Sequence, residues 1–274
     1  MKLFDGKGNS FKAPSEKELA IGSIGIEYNR VNSASYFLCR IPKESISGKR
    51  IVPKVALTSL YGDVSGAKVS ALSFAKREKS IFTMNASLFN MTTMIPQGQT
   101  IVNGVSVTNS PMLDDNGTAI SDAECYPLCI DGNGALSAPY GRNVDTSQMI
   151  AEGVKHSVVG WGTLVDNFKK TDSTVFNEIV HPVKYVQQVI GQYADGDYCV
   201  LTVNMERNGR AENDAGMTYA EMADVLIEKG VKFAYVLDGG GSSETVIGER
   251  QINAVYEGTS GRAVPTVIYF DIEE

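Results

Sequence analysis

Histidine and cysteine are scarce in this chain, two and four residues respectively among 274. Cys125 and Cys129 form a CxxxC, but no second cysteine pair stands near them, and His156 and His181 are isolated. Those spacings do not suit a zinc centre. Cys39, Cys125, Cys129 and Cys199 are expected as free, buried thiols. Positive charge is also in short supply: 25 Lys and Arg against 32 Asp and Glu leave a formal net charge of −7. A nucleic-acid partner, which asks for a basic patch, is therefore not expected. No apolar run approaches the roughly 20 residues of a membrane-spanning helix, so no membrane insertion is expected. The opening residues, Met1-Lys2-Leu3-Phe4-Asp5-Gly6-Lys7-Gly8, lack the apolar centre of a secretory signal, and the expectation is a chain made in the cytoplasm. Internal repeats, low-complexity tracts and Pro/Ser-rich linkers are missing too. One domain over residues 1–274 is the simpler organisation.

Hydrophobic residues make up 43% and charged residues 21%, enough apolar material for a real core. Short β-type runs at 21–26, 35–39 and 54–58 alternate with turns. Val69, Leu72, Ala75 and Arg77 fall at helical spacing, ending near Lys79, and Ile81-Phe82-Thr83-Met84 follows as a strand. Asn103-Gly104 marks a hairpin, and the segment 157–165, with the chain's one Trp, reads as a bent strand or strand pair. The runs 187–192 and 198–203 flank a turn at Asp195-Gly196-Asp197. The clearest helix opens at Thr218-Tyr219-Ala220-Glu221, a capping box, carries Met222, Val225 and Leu226 on one stripe, and stops at Gly230. Many strands and few helices predict an α+β fold. Its single domain has a mixed, largely antiparallel β-sheet core flanked by those helices.

The most informative stretch is Leu237-Asp238-Gly239-Gly240-Gly241-Ser242-Ser243-Glu244-Thr245. It follows the β-type run Phe233-Ala234-Tyr235-Val236, so a carboxylate stands at a strand tip. Three residues without Cβ then let the backbone turn its N–H groups toward a ligand. Ser242, Ser243 and Thr245 add short donors and acceptors, which suits an anionic or hydroxyl-rich small molecule. The plain alternative is a surface turn, since Asp and Gly are ordinary turn residues. Immediately after the strand 81–84 comes Asn85-Ala86-Ser87-Leu88-Phe89, with an amide where the other junction has an acid.

These pieces, in this order, resemble the phosphodiester glycosidase family. The resemblance rests on Asn85 to Phe89, on Gly216-Met217-Thr218 and the helix after it, on Asp238 to Ser243, and on Arg262-Ala263-Val264-Pro265. It covers about residues 80–272, with residues 1–79 supplying N-terminal strands and a helix. The resemblance implies hydrolysis of a sugar joined through its anomeric carbon to a phosphodiester, by way of an oxocarbenium-like state. Asp238 is then the leading catalytic carboxylate, and Asn85 holds a sugar hydroxyl, an N-acetyl group or the attacking water. Gly239, Gly240 and Gly241 offer N–H groups to phosphate, joined by the hydroxyls of Ser242 and Ser243. Arg262, with Arg207 or Arg210, neutralises the phosphate.

The chain departs from the family where Gln187-Gln188 replaces an Arg-Thr-like pair and Thr266 replaces an Asn. Gln187 would then meet the ligand with neutral hydrogen bonds. The resemblance further implies a phage or bacterial member incorporated in a virion, with phage structural proteins or a second copy of itself as partners. Its substrate would be a carbohydrate phosphate such as a teichoic-acid-like surface polymer. The competing reading is a sugar-phosphate binding module without turnover. Glu206 and Glu244 are alternative carboxylates. No cofactor or metal is expected; calcium stays open, although Asp114-Asp115 and Asp195-Gly196-Asp197 lack EF-hand spacing. A Walker-type nucleotide site is excluded because the glycine loop carries no Lys.

Overall fold

The computed structural model describes residues 14–110, 125–172, 183–204, 216–255 and 261–273, and the backbone of two short strands before them. The chain begins with β1 (Lys2–Phe4), β2 (Ser10–Lys12), helix α1 (Glu16–Gly22), β3 (Gly25–Val31), β4 (Ala34–Ile41), β5 (Ile51–Leu57) and α2 (Ala71–Glu78). Next come β6 (Phe82–Asn85), β7 (Gln99–Val102), β8 (Val105–Asn109), β9 (Pro127–Asp131), β10 (Leu136–Ser137) and α3 (Thr146–Ala151). Then follow β11 (Val154–Val159), β12 (Gly162–Asp166), β13 (Lys169–Lys170), β14 (Gln188–Tyr193), β15 (Tyr198–Val203) and α4 (Tyr219–Glu228). The chain closes with β16 (Val231–Val236), β17 (Thr245–Ile247), β18 (Arg250–Gln251) and β19 (Thr266–Ile272).

Beside the β1–β2 pair, the strands form three sheets, in the orders β10-β9-β11-β7-β8, β13-β12-β16-β14-β15-β4-β3 and β18-β17-β6-β19-β5. Each pairing within them is antiparallel, as in the register Val189↔Val236 or Val267↔Asn85. The fold is therefore α+β, as the strand and turn pattern predicted. Strands β3, β4 and β5 of the first eighty residues belong to the same sheets as later strands, because β4 pairs with β3 and β15 and β5 pairs with β19.

One core cluster draws Ile41, Phe82, Leu128, Tyr198, Tyr235 and Phe270 from all three sheets. Phe270 meets Phe82 edge-on with ring centroids 5.6 Å apart, and Tyr198 at 5.1 Å. Such pairs add directional contact to the burial of apolar area. All six residues of β15 are buried, so this strand is covered on both faces.

The helix ends follow their capping residues. Thr218 Oγ1 accepts the Glu221 N–H at 3.1 Å, and the Glu221 carboxylate accepts the Thr218 N–H at 2.8 Å, which starts α4 where the capping box predicted. Helix α2 stops at Lys79, which takes a left-handed conformation with φ of 53°. The expected strand at 21–26 needs correction. Ser15 and Glu18 make a second capping box that starts α1, and the helix takes in Ile21 and Gly22, so the strand begins only at Gly25. Among the described residues no helix is long and apolar enough to cross a membrane.

Candidate active site

Strand β16 lies in the seven-stranded sheet and β17 in a five-stranded one, so residues 237–244 cross from one sheet to the other. Asp238 stands at the start of that crossing. Its N–H donates to the Ala86 carbonyl at 3.1 Å, and its own carbonyl accepts from Asn85 Nδ2 at 2.8 Å. The other end of the Asn85 amide, Oδ1, accepts the Glu244 N–H at 3.1 Å. Asn85 is 0% exposed, and both ends of its side chain bind main chain. It therefore brackets the loop at its two ends and does not face a ligand, a different placement from the one expected of it.

The Asp238 carboxyl is half-buried and accepts the Gly239 N–H at 2.9 Å. Burial raises its pKa from 3.8 to about 6, while the Ser242 hydroxyl, the Gly239 amide and the positive charge of Arg262 pull it back down. A carboxyl so tuned is charged near neutrality yet close to its protonated form, as acid–base chemistry requires.

Gly240 adopts φ of +60°, a left-handed conformation that favours glycine. Its N–H donates to the Val186 carbonyl at 2.7 Å, and Ser242 and Ser243 close a single 3₁₀ turn onto Gly239 and Gly240. Of the three glycine amides expected to meet phosphate, those of Gly239 and Gly240 have acceptors inside the protein, as do the amides of Ser242 and Ser243. The turn itself uses only the N–H groups of Ser242 and Ser243. Ser242 and Ser243 are both buried; Ser242 serves the Asp238 carboxyl, and Ser243 Oγ has no hydrogen-bond partner.

The glycines also make room. A Cβ on Gly239 would lie 2.1 Å from Gln187 Oε1 and 2.6 Å from the Val186 carbonyl. One on Gly241 would lie 2.5 Å from Arg262 Nη2. The loop is therefore pressed by a neutral amide at Gly239 and by a guanidinium at Gly241. Gln187 is 3% exposed; its Nε2 donates to Tyr219 Oη at 3.2 Å and its Oε1 has no donor. Arg262 also reaches the sulfur of Met91 at 3.8 Å.

Glu244, the alternative carboxylate, is buried beneath the loop. Gly261 donates its N–H to Glu244 Oε1 at 3.2 Å. Burial raises its pKa, against the pull of the main-chain amides of Leu72, Gly261 and Ala71. Thr266, where the family pattern has Asn, bonds the Ser87 N–H at 3.0 Å and the Ser87 hydroxyl at 2.6 Å. His156 is buried, accepts the Asn103 N–H at Nδ1, and is lowered to about 4 by burial and nearby lysines, which makes it a neutral structural residue. Asp197 is bridged to Arg40 at 2.8 Å, with Asp195 on the same guanidinium. The four cysteines are buried and unlinked. Arg207, Arg210, Glu206, His181 and the Asp114-Asp115 pair lie outside the described residues.

A cleft of about 450 Å³ opens beside the loop, lined by Trp161, Val183 to Gln187, Tyr219 and Asp238 to Gly240. Its aromatic wall went unread in the sequence. Trp161 is set by Gly160, where a Cβ would lie 2.3 Å from the Val236 carbonyl, and by its own N–H on that carbonyl at 2.8 Å. Tyr185 pairs with Met217 in a two-bond bridge, and Gly216 permits this because a Cβ there would meet the Tyr185 backbone at 2.6 Å. The rings of Tyr185 and Tyr219 stack with centroids 5.2 Å apart. The Gly-Met-Thr motif therefore builds one wall of the cleft. The signals that could have found it are the lone Trp between two glycines and the Tyr beside that motif.

Together these features define an α+β protein of antiparallel sheets with a strand-tip carboxyl site where two sheets meet. Residues 78–271 match the family described as phosphodiester glycosidase (NAGPA), and the chain belongs to that family. A curated relative, the SPbeta prophage-derived uncharacterized protein YomE of Bacillus subtilis (strain 168), is 28% identical over 256 residues. That match takes in 89% of this chain and 36% of YomE, so the chain spans about a third of that relative's length. Among solved structures, the zebrafish N-acetylglucosamine-1-phosphodiester α-N-acetylglucosaminidase catalytic domain, auto-inhibited by its pro-peptide, superposes with a TM-score of 0.64. It is 17% identical, and the match covers 92% of this chain and 82% of that one. A hypothetical protein from Synechocystis gives 0.62 at 11% identity, over 90% and 61% of the two chains. At these identities the structural likeness is one of fold.

Proposed function

We propose that the protein hydrolyses sugar-1-phosphodiesters. The observation that carries this reading is the Asp238 carboxyl, raised to about 6 at the strand tip, with the Arg262 guanidinium against the glycine loop that follows. Family membership supports it. In the reaction, the bond between the anomeric carbon and the phosphate oxygen breaks, and the phosphate leaves as a monoester. Water adds to the carbon and gives up a proton. Asp238 takes that proton, or as a carboxylate balances the positive charge on the ring. Arg262, with Arg207 or Arg210, balances the charge of the phosphate. Ser242 and the Gly239 amide hold the Asp238 carboxyl, and Asn85 holds the two ends of the loop that begins at Asp238.

The substrate class in this reading is a carbohydrate phosphate, extending to a phosphate-linked surface polymer of the teichoic-acid kind. The prophage origin of YomE supports a phage setting, with virion proteins or a second copy as partners. Purified protein is incubated with N-acetylglucosamine-1-phosphodiesters and wall polymers, and released sugar is measured against Asp238→Ala. Sugar released by wild type alone is the expected result. Tight binding with no release in either protein would replace the hydrolase with a binding module, which the neutral Gln187 favours.

A further inference from the structure

We infer that the substrate crosses the glycine loop in one direction, with an uncharged pyranose ring in the Trp161–Tyr185 cleft beside Gly239 and its phosphate beside Gly241 and Arg262. This rests on the hydrolase reading and assigns the two halves of its substrate to places.

The loop has two chemically different neighbours. At Gly239 the contact is Gln187, a neutral amide whose Nε2 is committed to Tyr219 and whose Oε1 lacks a donor. At Gly241 the contact is a guanidinium, the side chain suited to planar, two-point recognition of phosphate oxygens. Asp238 lines the same cleft as Gln187 and feels the positive charge of Arg262, so it is near both halves of such a substrate.

The cleft fits a sugar by its walls and its size. Trp161 and Tyr185 are both half-buried and so keep ring surface open to the cleft, and Tyr185 is backed by Tyr219. The C–H faces of a pyranose pack on aromatic rings through the same apolar contact that makes these rings strong binders. A volume of about 450 Å³ lies in the range of small-ligand sites. Lys184 also lines the cleft and is the group a phosphate would meet if the substrate lay the other way round.

Trp161 is the chain's single tryptophan, so its emission reports on the cleft alone. The full chain is titrated with free N-acetylglucosamine and a panel of free hexoses, and separately with glycerol phosphate. At least one free sugar is expected to shift or quench the emission saturably, and glycerol phosphate to leave it unmoved. Tyr185→Ala is expected to weaken the sugar response about tenfold or more, as loss of one stacked face implies. Arg262→Ala should keep the sugar response and abolish binding of glycerol phosphate by calorimetry, and Lys184→Ala should preserve both. An emission change on glycerol phosphate that Lys184→Ala abolishes would reverse the direction and overturn the inference, as would a full panel of sugars without effect. Sugar binding as described with no diester cleaved would end the hydrolase reading alone. Diester cleavage whose KM ignores Tyr185→Ala would end this inference alone.

Discussion

Asp238→Asn keeps the shape of the side chain and an acceptor for the Gly239 N–H, and removes only the charge. The wild-type carboxyl is lifted by burial from 3.8 to about 6. Its folded pKa therefore lies above its unfolded one, and the folded state keeps a proton that the unfolded chain has released. The stability linked to this group is whole below about pH 4 and is lost as pH rises through about 6. The full rise corresponds to about 3 kcal/mol. Because the residue is only half-buried, about 2 kcal/mol is the expected effect after solvent screening. Urea unfolding of both proteins at about pH 4 and about pH 8 measures it, since contributions independent of pH cancel between the two conditions. The variant is expected to gain about 2 kcal/mol on wild type across that interval while losing hydrolysis. A stability difference that stays constant with pH would refute the claim that burial strains this carboxylate.

Arg262→Ala should lower kcat/KM by about 3–4 kcal/mol of transition-state stabilisation, read from steady-state kinetics on a sugar-1-phosphodiester. Asn85→Ala removes two buried side-chain-to-main-chain bonds and should cost about 2–4 kcal/mol in chemical unfolding, with activity falling as the loop loses its bracket. Gly239→Ala should cost about 1–3 kcal/mol from overpacking, and adding Gln187→Ala should restore only part, because the Val186 carbonyl still stands in the way. His156 has its pKa lowered to about 4, so its stability contribution is present above 6.5 and lost as pH falls toward 4. His156→Leu should flatten that part of the acid limb in pH-dependent melting and leave hydrolysis intact.

The parts of this protein legible in the sequence are those that one short stretch of chain decides. The capping box at Thr218 and the glycine run after Asp238 are of that kind, since a cap or a left-handed glycine needs no distant partner. The division into three sheets was hidden, because strands covered on both faces, such as β15, lose the alternation that would show which face packs where. Helix α1 was missed because its capping box at Ser15 is followed by Ile21 and Gly22, which read equally well as the start of a strand. In the site, residue types were visible but directions were not. Asn85 was legible as an important amide, yet nothing local shows that both its ends turn inward onto residues more than 150 positions away. The cleft wall depends on Gly160 and Gly216 allowing backbones to touch, and only the folded chain reveals what they touch.

Strand β19 is the last in the chain but lies inside its sheet, between β6 and β5. Arg262 and Thr266 lie on one segment, so the guanidinium beside Gly241 and the partner of Ser87 both come after Asp238 in the chain. A polypeptide still emerging from the ribosome has Asp238 but not its guanidinium neighbour, and its β5 and β6 have nothing between them. The contact between Arg262 and the loop is thus withheld until the segment after Gly261 has been added, and a product shortened ahead of Arg262 would leave β5 and β6 unbridged.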